Sequence, residues 1–167
     1  MIKIRNLIKE DSQHFFDMLM KLDTETKYMM YEPGERNTNI TQIEAAFIKS
    51  SKEILTLIID DADNSCIGGF LCAQRGIYNK IKHSAYIVVG LLNEYRHKGL
   101  GTEMFKELDK WALANNITRL ELTVVSENIN AVKLYEKMGF KKEGIKRNSL
   151  IIDGKYADEF YMAKILL

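Results

Sequence analysis

Residues 94–102 read Glu-Tyr-Arg-His-Lys-Gly-Leu-Gly-Thr, and they decide how the chain is interpreted. An apolar run at 85–92 precedes them and predicts a strand, and the apolar residues that follow recur at helical spacing. Backbone N–H groups at a helix start have no intrahelical partner, and the helix dipole adds partial positive charge there. The two glycines let a ligand approach that backbone, and the arginine and lysine add formal charge. The stretch therefore predicts a phosphate-binding turn.

The glycine spacing excludes two common nucleotide-binding motifs. A Walker loop needs a lysine after its second glycine, whereas Gly101 is followed by Thr102. A dinucleotide fingerprint needs three glycines in the order G-x-G-x-x-G, whereas the pattern here is Arg96-x-x-Gly99-x-Gly101. Three fixed positions occur often by chance. Taken alone, the turn therefore leaves several phosphate-bearing cofactors open.

Length and composition predict one soluble domain spanning 1–167. The chain has 167 residues, 46% of them hydrophobic and 28% charged, with a net charge of +1. The balanced charge argues against nucleic acid as a partner, and no apolar run reaches the ~18 residues that a bilayer-spanning helix needs. The N-terminus lacks a signal-peptide core, so we expect a cytoplasmic protein without a membrane partner. Cys66 and Cys72 are expected to be unbridged, and the histidine spacing predicts no metal site.

Apolar periodicity predicts the element order β-α-α-β-β-β-α-β-α-β-β. Hairpins in the middle and helical crossovers later predict the α+β class, with a mixed sheet flanked by four helices. Gly90 interrupts the most apolar strand, where glycine often marks a bulge or the close approach of another backbone. The second helix is expected to carry Ile43, Ala46, Phe47 and Ile48 near one face.

The loop at 28–36 is unusually aromatic and charged, and it holds the only proline of the chain. Exposed apolar side chains on a loop suggest contact with a ligand or with another segment. A loop folded onto the core by its tyrosines explains the composition equally well. Both interpretations stay open at this point.

A second pattern lies about thirty residues beyond the turn: Asn128-x-Asn130-Ala131-x-x-Leu134-Tyr135-x-x-x-Gly139-Phe140. Together with the turn, at this separation and in this element order, it makes the chain resemble the GNAT family of acetyl-CoA-dependent N-acetyltransferases. The tail at 153–162 is similar to a variant found in members near the ribosomal-protein acetyltransferase branch. The resemblance implies a largely antiparallel sheet of about seven strands with a splayed central strand pair.

The resemblance also implies how acetyl-CoA binds. Val89 and Leu91 would pair with the amides of the pantetheine arm, and a bulge near Gly90 would splay the strand to make room. Asn130 would hydrogen-bond the pantetheine from the start of its helix, unless it merely caps that helix. The pyrophosphate would lie on the turn, which supplies Arg96, His97, Lys98, Gly99, Leu100, Gly101 and Thr102.

Acetyl transfer to an amine needs two proton transfers. A tyrosine can protonate the leaving thiolate, so Tyr135 is the predicted general acid, although its stripe position also suits a core residue. The N–H of Leu91 is the predicted oxyanion donor. Direct attack in a ternary complex requires no acyl-enzyme. The general base stays unassigned, with Glu94, Glu32 and Glu35 as candidates for a water relay.

The acceptor pocket is expected between the 28–36 loop, the first two helices and the 153–158 hairpin. Acidic and aromatic groups there would suit a cationic amine. These groups are Tyr31, Glu32, Glu35 and Tyr156, with Asp153 and Asp158 beside them. A polyamine, an antibiotic, an amino acid and a protein N-terminus all remain possible acceptors. The alternative function is a non-catalytic acyl-CoA sensor of the same fold. A homodimer is left open.

Overall fold

The computed structural model describes residues 1–46 and 53–166. Its element order is the predicted one, with short 3₁₀ turns added at Lys9–Asp11 and Asn93–Tyr95. The elements are β1 (Ile2–Asn6), α1 (Ser12–Glu25), α2 (Ile40–Ala46), β2 (Ile54–Asp61), β3 (Cys66–Arg75), β4 (Ser84–Leu91), α3 (Leu100–Ala114), β5 (Arg119–Val125), α4 (Ile129–Lys137), β6 (Lys141–Ile152) and β7 (Lys155–Ile165). The predicted apolar positions Phe47 and Ile48 lie outside the described residues.

One seven-stranded sheet has the order β1-β2-β3-β4-β5-β7-β6. Every neighbouring pair is antiparallel except β4 and β5, which run parallel. That parallel pairing starts at Ser84–Arg119 and ends at Tyr86–Glu121, so the remainder of the two strands diverges. The predicted α+β class, the largely antiparallel sheet and the splayed central pair are confirmed.

The bulge that we expected at Gly90 is not there. The pairing of β3 with β4 keeps one register from Gly69–Leu91 to Arg75–Ala85, and all of these residues are described. Gly90 serves a close side-chain approach instead, because a Cβ on it would lie 2.6 Å from Cδ2 of Leu22 in α1. The strands therefore diverge without a bulge in β4.

The core forms around α3, whose apolar residues fall on one face at helical spacing. Met104, Phe105 and Leu108 are fully buried, which confirms them as core residues, and Trp111 is half-buried against the same cluster. This packing fixes the start of α3, and with it the turn that precedes the helix. None of the helices in 1–46 and 53–166 has the length and apolarity of a bilayer-spanning helix.

Candidate active site

The turn before α3 has the backbone of an anion cradle. His97 and Gly99 both adopt left-handed conformations, with φ of 58° and 80°. Gly99 is the N-cap of α3, and no side chain of the described residues caps the helix there. The first-turn N–H groups are therefore available to a ligand, and the dipole of α3 adds positive charge at the same place. The predicted strand–turn–helix arrangement is confirmed, and phosphate binding by the turn stays a prediction.

Two cations flank this cradle. Nε of Arg96 donates a hydrogen bond of 2.9 Å to the carbonyl oxygen of Leu91, and its terminal nitrogens make no hydrogen bond within the described residues. Lys98 is exposed, with its ammonium 5.5 Å from the ring centre of Tyr95. The arginine therefore ties the turn back to β4 while the face of the cradle stays open.

Tyr95 anchors the turn to the rest of the sheet. Its hydroxyl donates a 2.8 Å hydrogen bond to Oδ2 of Asp61 and lies 3.3 Å from Sγ of Cys66. Its ring lies against Gly68, where a Cβ would come within 2.5 Å of the ring. Burial, helped by these two partners, raises the pKa of Tyr95 well above its usual value, so the hydroxyl keeps its proton.

The free edge of β4 faces the gap left by the divergence. Backbone hydrogen bonds join Gly76 to Ser84 and Leu92 to Gly68, so even-numbered residues of β4 bond to β3. By the antiparallel alternation, the N–H and C=O of Val89 point towards β5. The N–H and C=O of Leu91 have the same orientation. The carbonyl oxygen accepts the hydrogen bond from Arg96, so only the N–H is available to a ligand.

The second sequence motif forms the start of α4, which begins four residues after the last residue of β5. Asn128 caps the helix, because its Oδ1 accepts a 3.4 Å hydrogen bond from the N–H of Ala131. Asn130 is exposed, and its side chain makes no hydrogen bond within the described residues. Since another residue does the capping, the Asn130 amide is available to a ligand.

Tyr135 is buried on the inner side of α4, at 7% exposure. Its ring packs edge-on against that of Phe105, with 5.7 Å between ring centres, and is tilted against that of Phe140 at 6.1 Å. Its hydroxyl has no hydrogen-bond partner in the described part of the chain. Burial, with a smaller contribution from the Tyr86 phenol, raises the Tyr135 pKa well above its usual value. The phenol therefore keeps its proton, and no group among the described residues accepts it in a hydrogen bond.

The aromatic loop is held by an ion pair inside the protein. Arg36 donates 2.7 and 2.8 Å hydrogen bonds to the two carboxylate oxygens of Asp23 in α1, and both side chains are buried. The guanidinium also stacks 4.3 Å from the ring centre of Tyr31. Glu32 and Glu35 stay exposed, with a 2.9 Å hydrogen bond from the N–H of Glu32 to Oε2 of Glu35. The loop is thus folded onto α1 and still presents two carboxylates.

The hairpin between β6 and β7 approaches the end of α1. Nζ of Lys27 lies 3.0 Å from Oδ2 of Asp153, and this exposed pair joins the two segments. Tyr156 is 71% exposed. Asp158 accepts hydrogen bonds from the N–H of Asn148 and from Arg147, so its carboxylate serves the hairpin itself.

The candidate base Glu94 is engaged elsewhere. Its carboxylate lies 2.8 Å from Nζ of Lys21 in α1, and this contact lowers its pKa. It lines a separate cavity beside Asp61 and Met1. The structure therefore does not bring Glu94 together with Tyr135.

A cavity of about 420 Å³ lies where β4 and β5 begin to diverge, and the sequence did not indicate it. Its lining consists of Tyr86, Arg119, Glu121, Leu122, Thr123, Glu143, Tyr161 and Met162. These residues come from four strands whose order along the sheet is not readable from local patterns. The one signal in the sequence is the row of long side chains at alternate positions of β4 and β5, which indicates a second polar face of the sheet. In the described part of the chain, no three candidate metal ligands converge.

This fold and this arrangement define an acyltransferase-like α+β protein, and comparisons with known proteins identify its family. A GNAT-family acetyltransferase structure from Streptococcus pneumoniae is 27% identical, covers 99% of this chain and 100% of its own, and superposes with a TM-score of 0.93. The spermidine N(1)-acetyltransferase of Escherichia coli (strain K12) is 26% identical over 165 residues, which are 96% of this chain and 84% of that protein.

The L-amino acid N-acetyltransferase of the same strain is 30% identical over 87 residues, which are 50% of this chain and 52% of that protein. The acetyltransferase (GNAT) family model matches residues 16–140. The chain belongs to the GNAT family of acetyltransferases. The predicted family is confirmed, and with it the predicted class of acetyl-CoA-dependent N-acetyltransferase.

Proposed function

We propose that this protein transfers the acetyl group of acetyl-CoA to a primary amine, by direct attack in a ternary complex. The observation that carries the proposal is that one site combines an uncapped helix start, a free backbone edge on β4 and a buried phenol on α4. We further propose residues 1–167 as one domain, because strands from both ends of the chain join one sheet.

Acetyl-CoA supplies an activated acetyl group and a thiolate leaving group, and the chain's residues hold it. The N–H and C=O of Val89 hydrogen-bond the pantetheine amides as a neighbouring strand would, and the N–H of Leu91 lies along the same edge. Asn130 binds from the opposite side of the gap. The pyrophosphate is bound by Arg96, His97, Lys98, Gly99, Leu100, Gly101 and Thr102.

Tyr135 then acts as the general acid. Its proton, kept by burial, passes to the sulfur as the C–S bond breaks. The N–H of Leu91 stabilises the developing oxyanion, since its carbonyl is already taken by Arg96 and only the donor remains. Both roles use polar groups, the Tyr135 hydroxyl and the Leu91 N–H, that make no hydrogen bond among the described residues.

The acceptor is proposed to enter between the aromatic loop and the β6–β7 hairpin. Glu32, Glu35 and Tyr156 are exposed there and would attract a cationic amine, and Tyr31 holds Arg36 in place. Relatives named for spermidine and for amino acids are both acetyltransferases of amines. Nothing in the chain's charge favours nucleic acid as the acceptor.

The test is coenzyme A release with a panel of amines, alongside calorimetric binding of acetyl-CoA. Spermidine, an L-amino acid and an alanine-terminated peptide form the panel. We expect binding of acetyl-CoA and turnover with at least one amine. Binding without turnover on any amine would establish the sensor alternative, and absence of binding would reject both.

We also propose the cytoplasm as the compartment, and a homodimer stays an open alternative to a monomer. Both cysteines are free thiols, as expected of a protein in a reducing compartment. Fractionation of cells that express the tagged chain tests the first proposal. Sedimentation velocity tests the homodimer, and a single species at the 19.3 kDa monomer mass would reject it.

A further inference from the structure

The cavity at the start of the divergence contains one carboxylate oxygen that the protein does not use. Arg119 donates from Nε to Oε2 of Glu121 at 2.7 Å, and from its two terminal nitrogens to both oxygens of Glu143 at 3.1 and 2.6 Å. Glu143 is therefore fully engaged. Oε1 of Glu121 accepts no hydrogen bond within the described residues.

Glu121 occupies the last paired position before the strands separate. Its partner in β4 is Tyr86, and beyond this pair the gap that would receive the pantetheine arm begins. The Tyr86 hydroxyl crosses the gap and forms a 2.8 Å hydrogen bond with Oγ1 of Thr123. The free carboxylate oxygen thus lies at the closed end of the gap, where a thioester on an extended arm would arrive.

The lining of the cavity also determines which ligand charge it favours. Two carboxylates and one guanidinium leave the cavity with one net negative charge, and the walls are completed by the phenol rings of Tyr86 and Tyr161. Such a lining favours an alkyl or aryl ammonium ion, since both the charge and the ring faces attract cations. It disfavours an amine that carries its own carboxylate next to the nitrogen.

We propose that this cavity binds the acceptor as a primary ammonium ion lacking an adjacent carboxylate, and that Glu121 is the general base that deprotonates it. This inference rests on the acetyltransferase function proposed above. The aromatic loop and the hairpin then form the outer rim, and Glu121 the inner end, of one acceptor path.

The ammonium gives one proton to Oε1 of Glu121, and the neutral nitrogen forms the C–N bond to the acetyl carbon. The C–S bond breaks as the sulfur takes the proton of Tyr135. The second nitrogen proton, lost when the intermediate collapses, restores the phenol through solvent, and Glu121 releases the first proton to solvent to complete the cycle. Arg119 acts as a positioning residue, because it holds the carboxylate through Oε2 and leaves Oε1 towards the cavity.

The test compares Glu121→Gln with Glu136→Gln, which removes the same charge from an exposed position on α4. With n-butylamine or phenethylamine as acceptor, we expect Glu121→Gln to lower kcat by about 100-fold or more and to abolish the acid limb of its pH profile. Acetyl-CoA affinity and Tm should match wild type. Glu136→Gln should retain wild-type kinetics. Alanine should be a poorer acceptor than either amine.

Wild-type kcat and pH profile in Glu121→Gln would overturn the assignment of the base, while turnover by the wild type would keep the proposed function intact. A preference for alanine over the two amines would overturn the substrate class alone. If Glu121→Gln lowers Tm and leaves the pH profile unchanged, the residue is structural and the proposal is wrong. Lack of turnover by the wild type on every amine removes the proposed function, and this inference falls with it.

Discussion

The ring of Tyr95 lies against Gly68, so close that a Cβ on the glycine would come within 2.5 Å of the ring. The two residues belong to different segments: Gly68 is in β3, at the irregularity in its pairing with β2, and Tyr95 ends the 3₁₀ turn before the cradle. The backbone of Gly68 therefore limits how closely Tyr95, and with it the start of the turn at 96–102, can lie to β3.

Gly68→Ala should displace Tyr95 and weaken acetyl-CoA binding. The added methyl cannot fit without moving the ring, which overpacks the site at a cost of about 1–3 kcal/mol. We expect a lower Tm and a raised Kd for acetyl-CoA, measured by calorimetry. Gly144→Ala is the control, because its nearest contact would be an ordinary 3.7 Å from Tyr161. Equal Kd values for acetyl-CoA in the two variants would show that Gly68 does not support the turn.

Gly99→Ala should weaken acetyl-CoA binding through backbone strain. Gly99 has φ of 80°, and no atom of the described residues lies within 4 Å of a Cβ built on it, so the effect is conformational and costs about 1–2 kcal/mol. Gly34→Ala is matched to it, with φ of 87° and equally open space in the aromatic loop. Both should lower Tm similarly, but only Gly99→Ala should raise the KM for acetyl-CoA. A raised KM in both variants would contradict the assignment of the turn.

Tyr135→Phe should lower kcat and leave binding intact. The hydroxyl makes no hydrogen bond among the described residues, so its removal leaves the packing with Phe105 and Phe140 in place. Loss of a general acid costs about 10²–10⁴-fold in rate. Tyr78→Phe, at an exposed tyrosine, is the control. Unchanged kcat in Tyr135→Phe would return this residue to a purely structural role.

Asp23→Ala should destabilise the fold and loosen the acceptor loop. It leaves the buried Arg36 guanidinium without its partner, which costs about 3–5 kcal/mol. Denaturant unfolding should show this loss, and the KM for the acceptor should rise more than that for acetyl-CoA. Glu107→Ala breaks the exposed pair with Lys110 and should change stability by less than about 1 kcal/mol. Equal effects of the two changes would contradict this account.

Stability should fall in acid through the carboxylates around Arg5. Hydrogen bonds from Arg5 lower the pKa of Asp11 and of Asp60 below their usual value. As the pH falls, these carboxylates therefore bind protons in the unfolded chain before they do so in the folded chain. The stabilisation of the folded state by the two carboxylates is present above about pH 4 and is lost as the pH falls through their folded-state pKa values. Asp11→Asn should lower Tm at neutral pH and flatten its acid slope. An unchanged slope would exclude this carboxylate as a source.

The fold was predictable because periodicity and turn residues act locally. The apolar stripe of α3 follows from which side chains the helix must bury, and the sequence records it. Gly90 was harder, because a bulge and a close side-chain approach both favour glycine. Only the position of Leu22, 68 residues earlier, decides between them.

The cofactor side of the site was more predictable than the acceptor side. The turn at 96–102 and the start of α4 are continuous motifs whose backbone geometry depends on neighbouring residues. The cavity around Glu121 is assembled from β4, β5, β6 and β7, and its charge depends on which carboxylate Arg119 engages. Such pairing between distant strands leaves no local pattern.

The three-residue pairing of β4 with β5 makes the sheet two half-sheets joined by a short seam. The first half carries the cradle, and the second carries Arg119, Glu121 and Tyr161. A pantetheine arm hydrogen-bonded along β4 would stiffen this seam and form one wall of the acceptor path. The seam therefore favours an order of binding in which acetyl-CoA enters first and the amine second.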